Sequence, residues 1–161
     1  MPMNYDMEVR GLDELIRKTR PELYRRPLEK MFEELAEIGE TVAKNKAPRF
    51  TGALQGSIHS EAKPMSARIF SNKAYAVPVE FGRRKGAKPP PVGPLRRWAN
   101  AKNINVYALV KSIGRRGIKG RFFMKAAEQA LMVKMPFQLK IVEKKIAKNW
   151  ERGQSVSGLF K

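Results

Sequence analysis

The sequence predicts an α+β domain: a small antiparallel β-sheet of about four strands packed against a long N-terminal helix and a C-terminal helix, with a helical insertion between about 92 and 116. Three observations predict it. An apolar stripe at helical spacing runs from Leu28 to Val42. Short segments separated by turn residues follow between Gly56 and Phe81. A second helical periodicity begins at Phe123 and reaches Trp150. A chain of 161 residues, 42% of them hydrophobic, fits one domain. Such a domain buries about two-thirds of its unfolded surface and needs no disulfide or metal to fold. No internal repeat or second core is visible, so 1–161 reads as a single domain.

The elements follow in order. Asp6 to Gly11 alternates apolar and polar residues, which predicts a short strand ended by Gly11. Leu12, Leu15 and Ile16 predict a short helix up to Pro21. Leu28, Met31, Phe32, Leu35, Ile38 and Val42 then form the stripe of a long amphipathic helix. Pro21 or Pro27 can sit in its first turn. The helix must end before Pro48, which disfavours a helical Ala47. Thr51-Gly52-Ala53-Leu54 reads as a capped turn, with the Thr51 hydroxyl accepting a backbone N–H. Three strand candidates come next: 56–63, 67–71 and 75–81, separated by Pro64-Met65-Ser66 and Asn72-Lys73. Pro78 lacks a backbone donor, so the third strand is expected at an edge or bulge, open to a neighbouring subunit.

The segment 82–91 holds two glycines, four basic residues and three consecutive prolines. It reads as an exposed basic, proline-ended arm. Pro94 opens a helix bearing Leu95, Trp98 and Ala99, and a second helical piece spans 106–113. A second basic, glycine-rich loop covers 114–121. The last helix begins near Phe122 with Phe123, Ala126, Ala127, Ala130 and Leu131 on one face. Pro136 is expected to kink or break it. The polar end, 153–161, reads as a flexible tail, with Leu159 and Phe160 as a contact point.

Charge is the strongest functional signal. The net charge is +18. Residues 1–81 carry 13 basic and 12 acidic side chains, whereas 82–161 carry 20 basic and 3 acidic. Such asymmetry points to a polyanionic neighbour: nucleic acid, an anionic surface or an acidic protein ring. Arg83, Arg84, Lys85 and Lys88 form one cluster, and Arg115, Arg116, Lys119 and Arg121 form another. No base-reading module is present, so DNA contact is expected at the backbone, independent of sequence and sensitive to salt.

Enzyme chemistry has little support. There is no cysteine, which excludes thiol catalysis and cysteine-bound zinc. Ser57, His59 and Glu61 share a strand face, a poor arrangement for a nucleophile and its base. Glu61 and Glu80 are two carboxylates without the wider cluster that metal-dependent hydrolysis uses. No phosphate-cradling glycine motif occurs. No catalytic residue, metal site or cofactor is expected. Met1 to Asp6 has no apolar run behind a basic stretch, so no signal peptide is expected there. No stretch of ~18 apolar residues exists to span a membrane.

Several runs together are similar to a known family. Ala47-Pro48-Arg49-Phe50-Thr51-Gly52-Ala53-Leu54-Gln55-Gly56-Ser57-Ile58 resembles the AP-x-x-TG-x-L-x-x-SI signature of the neck or tail-completion proteins of tailed bacteriophages. Tyr75-Ala76-Val77-Pro78-Val79-Glu80-Phe81-Gly82 resembles their YA-x-x-VEFG strand. Gly11-Leu12-Asp13-Glu14-Leu15 is similar to their common opening, and Phe122 to Ala127, with Phe123 and Ala126, to the start of their last helix. The runs Pro91 to Trp98 and Gly117 to Arg121 resemble an insertion of one branch. The resemblance covers roughly Gly11 to Leu131.

It implies a structural virion protein, made in the host cytoplasm, that forms a ring at the head–tail interface. The implied partners are other copies of itself, with six favoured and twelve the other option. Neighbouring connector, adaptor, stopper, tail-terminator or tail-tube proteins and the double-stranded DNA passing through the lumen complete the set. The eight arginines and lysines of the two clusters would face DNA or a partner ring. Within the motif, Thr51 and Gly52 shape the turn, and Tyr75 and Phe81 are expected on one strand face against the long helix. Glu80 is expected on the other face, in a surface ion pair or an inter-subunit pair with arginine. The rival reading is a small basic protein that binds nucleic acid freely, without sequence preference.

Overall fold

The computed structural model describes residues 3–8 and 21–157, with side chains from 23 to 152. Strand β1, Met3–Glu8, lies on one edge of a three-stranded antiparallel sheet. Helix α1, Pro21–Lys46, is followed by a short 3₁₀ turn, Gln55–Ser57, and strands β2, Ile58–Lys63, and β3, Ser66–Ser71. β3 is central: Met3 to Glu8 pair with Ser71 to Ser66 on one side, and Ile58 to Lys63 with the same residues on the other. Helix α2, Ala76–Phe81, leads into a two-residue strand β4, Gly82–Arg83. Helices α3, Val92–Ala101, and α4, Val106–Arg116, precede strand β5, Ile118–Lys119, which pairs with β4. Helix α5, Phe123–Ser157, closes the chain.

The core lies between α1, the sheet and α5. Leu28, Met31, Phe32 and Leu35 of the predicted stripe are buried, and Ile38 and Val42 pack half-buried against them. Each such side chain contributes about 1.5–3 kcal/mol when fully buried. β3 alternates as a one-sided strand should, with Ala67, Ile69 and Ser71 inward. α5 lays Phe123, Met124, Ala127, Leu131 and Val142 against the same core. Polar ties fix its register on α1: Gln138 Nε2 donates to Glu34 Oε2 at 3.0 Å, and Asn149 Nδ2 to the Leu23 carbonyl at 3.0 Å.

The turn after α1 forms as its residues suggest. Ala53 N donates to Thr51 Oγ1 at 3.4 Å, and Gly52 takes φ +78°. Leu54 and Ile58 are buried. The Ser57 hydroxyl donates to the Leu54 carbonyl at 2.7 Å and lies 2.8 Å from the Ser71 hydroxyl. Since Ser57 has one proton and has already given it, Ser71 donates in that pair. Gln55 Nε2 donates to the Lys44 and Ala47 carbonyls at 2.9 and 3.4 Å, covering the exposed carbonyl end of α1.

Several expectations are corrected. The third strand, 75–81, is helix α2. Pro78 sits in its first turn, where no backbone donor is used, and Val79 N bonds the Tyr75 carbonyl at 3.2 Å. Tyr75 and Phe81 therefore do not share a strand face: Tyr75 packs half-buried on the core, and Phe81 is exposed. The edge strands of the sheet are β1 and β2, not 75–81. Among the described residues the main sheet has three strands, against about four expected, and β4 and β5 form a separate ribbon. α5 is not broken at Pro136. It runs on to Ser157, because losing one backbone donor interrupts a single hydrogen bond of a long ladder. The expected tail at 153–161 thus starts as helix, while 158–161 lie outside the described residues, as does the short helix expected between Leu12 and Pro21. The strand expected over 6–11 begins earlier, at Met3, and its last residues also lie outside the described range.

The β2 edge is covered from α1. Glu40 Oε2 accepts from Ser60 N and from Ser60 Oγ, both at 2.7 Å. Lys44 Nζ donates to Glu40 Oε1 at 2.5 Å. Burial alone would raise the Glu40 carboxyl, but the hydrogen bonds from Lys44 and Ser60 and the Lys44 charge outweigh it and hold it below its ordinary 4.5. A backbone donor that would otherwise invite a neighbouring strand is thereby occupied.

Candidate nucleic-acid interface

The ribbon joins the two basic clusters. Gly82 pairs with Lys119 and Arg83 with Ile118, so residues 37 and 35 positions apart in sequence lie side by side. Gly86 N bonds the Gly114 carbonyl at 2.9 Å, and Pro89 lies against Gly114. Arg83 Nη2 donates to the Lys88 carbonyl at 2.6 Å. The segment 82–91 is thus exposed over much of its length but is not a free arm. It is folded onto the end of α4, because its backbone finds partners there.

Glycine makes this approach feasible. Gly82 has φ +78°, and a β-carbon there would lie 2.2 Å from the Ile118 carbonyl oxygen. Gly117 has φ +75°, and a β-carbon there would lie 2.4 Å from the Arg83 carbonyl oxygen. Side chains at both positions would part the ribbon.

Arg84, Lys85, Lys88, Arg115, Arg116, Lys119 and Arg121 are exposed, and Arg83 is half-buried through its bond to Lys88. Among the described residues, no ion pair involves any of the eight. Residues 82–127 contain 13 lysines and arginines and no aspartate or glutamate. This whole stretch becomes one module: the ribbon, the α3–α4 hairpin and the first turn of α5. Asn105 caps α4, its Oδ1 accepting from Tyr107 N at 2.9 Å and Ala108 N at 3.2 Å. Tyr107, Lys111 and Arg115 then stand one turn apart on the exposed side of α4, continuing the basic surface. An uncompensated field of this kind attracts polyanions without reading sequence.

Glu80 belongs to the foundation of this module, not to its surface. It is fully buried. Its two oxygens accept from Met124 N and Lys125 N, both at 3.0 Å. It therefore caps the start of α5 and makes neither the surface nor the inter-subunit pair expected of it. Beside it, Arg121 N bonds the Val79 carbonyl at 2.9 Å and Phe122 N the Glu80 carbonyl at 3.2 Å. These bonds seat the ribbon on the body. A sequence signal existed: α5 starts Phe122-Phe123-Met124-Lys125, with no serine, threonine, aspartate or asparagine to cap it, so the cap had to come from elsewhere.

The residues weighed for catalysis do not converge. Ser57 is buried in the 3₁₀ turn with its proton committed. His59 is exposed, its ring 6.2 Å from that of Phe70. Glu61 bonds Arg68 at 2.7 Å. Glu80 lies in the cap of α5, and Glu61 is on the outer side of the sheet. Among the described residues, no group of three or more His, Cys, Asp or Glu is placed to hold a metal, and no helix is long and apolar enough to cross a membrane.

Compared with known proteins, the chain matches no family model, no curated protein and no solved structure.

Proposed function

We propose that the chain is a structural virion subunit that forms a ring in the head–tail connector of a tailed phage, joining or completing the tail, with double-stranded DNA passing its basic face. The observation that carries the reading is the union of the two basic clusters on one glycine-built ribbon, with no acidic residue between 82 and 127 to neutralise it. A lumen must let DNA slide, so it needs charge without base recognition, and this surface has that character. The runs that resemble the neck family support the ring over a free binder. In this reading the chain is not an enzyme, is made in the host cytoplasm and ends in the virion. Its partners are further copies, neighbouring connector and tail proteins, and DNA.

The test joins two measurements on the full chain. Light scattering reports mass alone and with the particle's neighbours, and a salt series reports affinity for duplex DNA. A ring, alone or with neighbours, supports the connector. Replacing Arg84, Lys85, Arg115 and Arg116 with alanine should lower the slope of log affinity against log salt by about 0.9 per lost phosphate contact. A monomer that ignores those neighbours yet binds DNA tightly would favour the free nucleic-acid binder. An unchanged slope would remove the basic ribbon from either role.

A further inference from the structure

We infer that copies of this chain join head to tail, the outer face of α5 in one copy seating on the acidic outer face of α1 in the next. The inference rests on the ring reading and names the two faces that would build it. On α5, Val133, Phe137 and Ile141 recur every four residues and so form one row. They are 66%, 64% and 46% exposed. The opposite side of the helix, with Leu131 and Val142, is buried in the core. Among the described residues the apolar row therefore has no partner. Beside it runs a second row, Lys140, Lys144 and Lys148, all exposed and without an ion pair among the described residues.

α1 carries the complement. Glu29, Glu33 and Glu37 recur at the same four-residue step, so each charged row spans about 12 Å. Glu29 is held by Arg25 at 2.9 Å. Glu33 and Glu37 are exposed, and no ion pair among the described residues involves them. Like charges one turn apart on a helix are mutually unfavourable. Among the described residues Glu33, Glu37 and the lysine row are thus uncompensated, and each would be compensated by the other.

Charge also selects the geometry. Two α5 faces packed on each other would set lysine row against lysine row. An α5 face on a neighbour's α1 sets lysine against glutamate and covers the apolar row. The two faces differ, so the contact is heterologous and repeats from copy to copy, as a ring requires. A second copy is also a partner that brings such an acidic face: five glutamates lie between positions 29 and 40, against three acidic residues in all of 82–161.

The test is sedimentation of the full chain over a concentration series, with thermal melting to show that each variant folds. The wild-type mass should rise past a dimer. Phe137→Asp, at a 64% exposed position, should leave a folded monomer. The pair Lys144→Glu with Lys148→Glu, and the pair Glu33→Lys with Glu37→Lys, should each weaken association by about tenfold or more. Mixing the two charge-reversed chains should restore it, because each then offers the other an opposite row. A wild-type monomer at every concentration, or a Phe137→Asp chain that assembles normally, overturns the inference. So does a monomer that sediments with phosphatidylserine vesicles through Phe137, which would give this face to anionic lipid. In the first two cases the connector reading still stands if rings form with particle neighbours, so the two failures are distinguishable.

Discussion

Replacing Glu80 with alanine tests how the basic module is anchored. The carboxylate accepts two backbone hydrogen bonds at the start of α5 and is fully buried. Hydrogen bonds to a charged group are worth about 1.5–3 kcal/mol each. The substitution leaves the Met124 and Lys125 donors without their partner and opens a cavity between α2 and α5. Some relief comes from removing a buried charge and from water entering beside half-exposed neighbours. A net loss of about 3–5 kcal/mol follows, the range seen when one partner of a buried charged interaction is removed. For a chain of this size, that corresponds to a fall in Tm of roughly 6–20 °C. Glu80→Gln keeps one acceptor oxygen but turns an amide N–H₂ toward the second backbone donor, so it should lose about half as much. Urea unfolding followed by circular dichroism measures both variants. A Glu80→Ala chain within about 1 kcal/mol of wild type would refute the capping role. It would return Glu80 to the pairing with a neighbouring subunit that the sequence suggested.

Other consequences follow from the same geometry. Gly82→Ala and Gly117→Ala should each open the ribbon, since positive φ costs about 1–2 kcal/mol for a side chain even before the backbone collision. Hydrogen exchange should then rise at Arg83 and Lys119 while β3 stays protected. Ser57→Ala removes the acceptor of the buried Ser71 hydroxyl, while the Leu54 carbonyl keeps the Ser57 backbone N–H, and should cost about 1–3 kcal/mol in urea unfolding. Glu40 gives a pH dependence. Its carboxyl is lowered in the fold, so its contribution is fully present above about 4.5 and is lost as pH falls through the folded value. The protection of the Ser60 amide relative to its intrinsic exchange rate should fall in acid in the wild type, and Glu40→Gln should flatten that dependence.

The legible parts of this chain are those whose signal is local. Six apolar residues from Leu28 to Val42 leave one solution, a helix ended before Pro48. The Thr51-Gly52 turn and the β2 and β3 strands follow from neighbouring residues too. The run Tyr75 to Phe81 misleads because Ala76 and Glu80, four apart, share a side in a strand and in a helix alike. What decides between them is a contact 44 residues away, at Met124. Nor does the sequence show that Gly82 meets Lys119. Both basic clusters were visible, but their union depends on a pairing that only the folded chain makes. Glu40 lies off the Leu28–Val42 stripe, and its role at the β2 edge is equally a matter of tertiary placement.

In the α3–α4 hairpin, weak packing and positive charge point the same way. Only Ala99 in α3 and Gly114 in α4 are buried. Trp98, Leu95, Val110 and Ile113 are only half covered. A hairpin so thinly packed and so uniformly basic is the part of the chain expected to open first, since its charges repel and few contacts oppose them. Binding a polyanion removes the repulsion and stabilises the closed form by mass action, about 2.7 kcal/mol at a hundredfold excess over Kd. Amides of 106–116 should therefore exchange quickly in the free chain at low salt and slow when duplex DNA is added. Amides of α1 should not change. Protection that rises equally in both helices would mean that the anion grips the body of the domain, and protection that rises in neither would mean that the hairpin does not meet DNA.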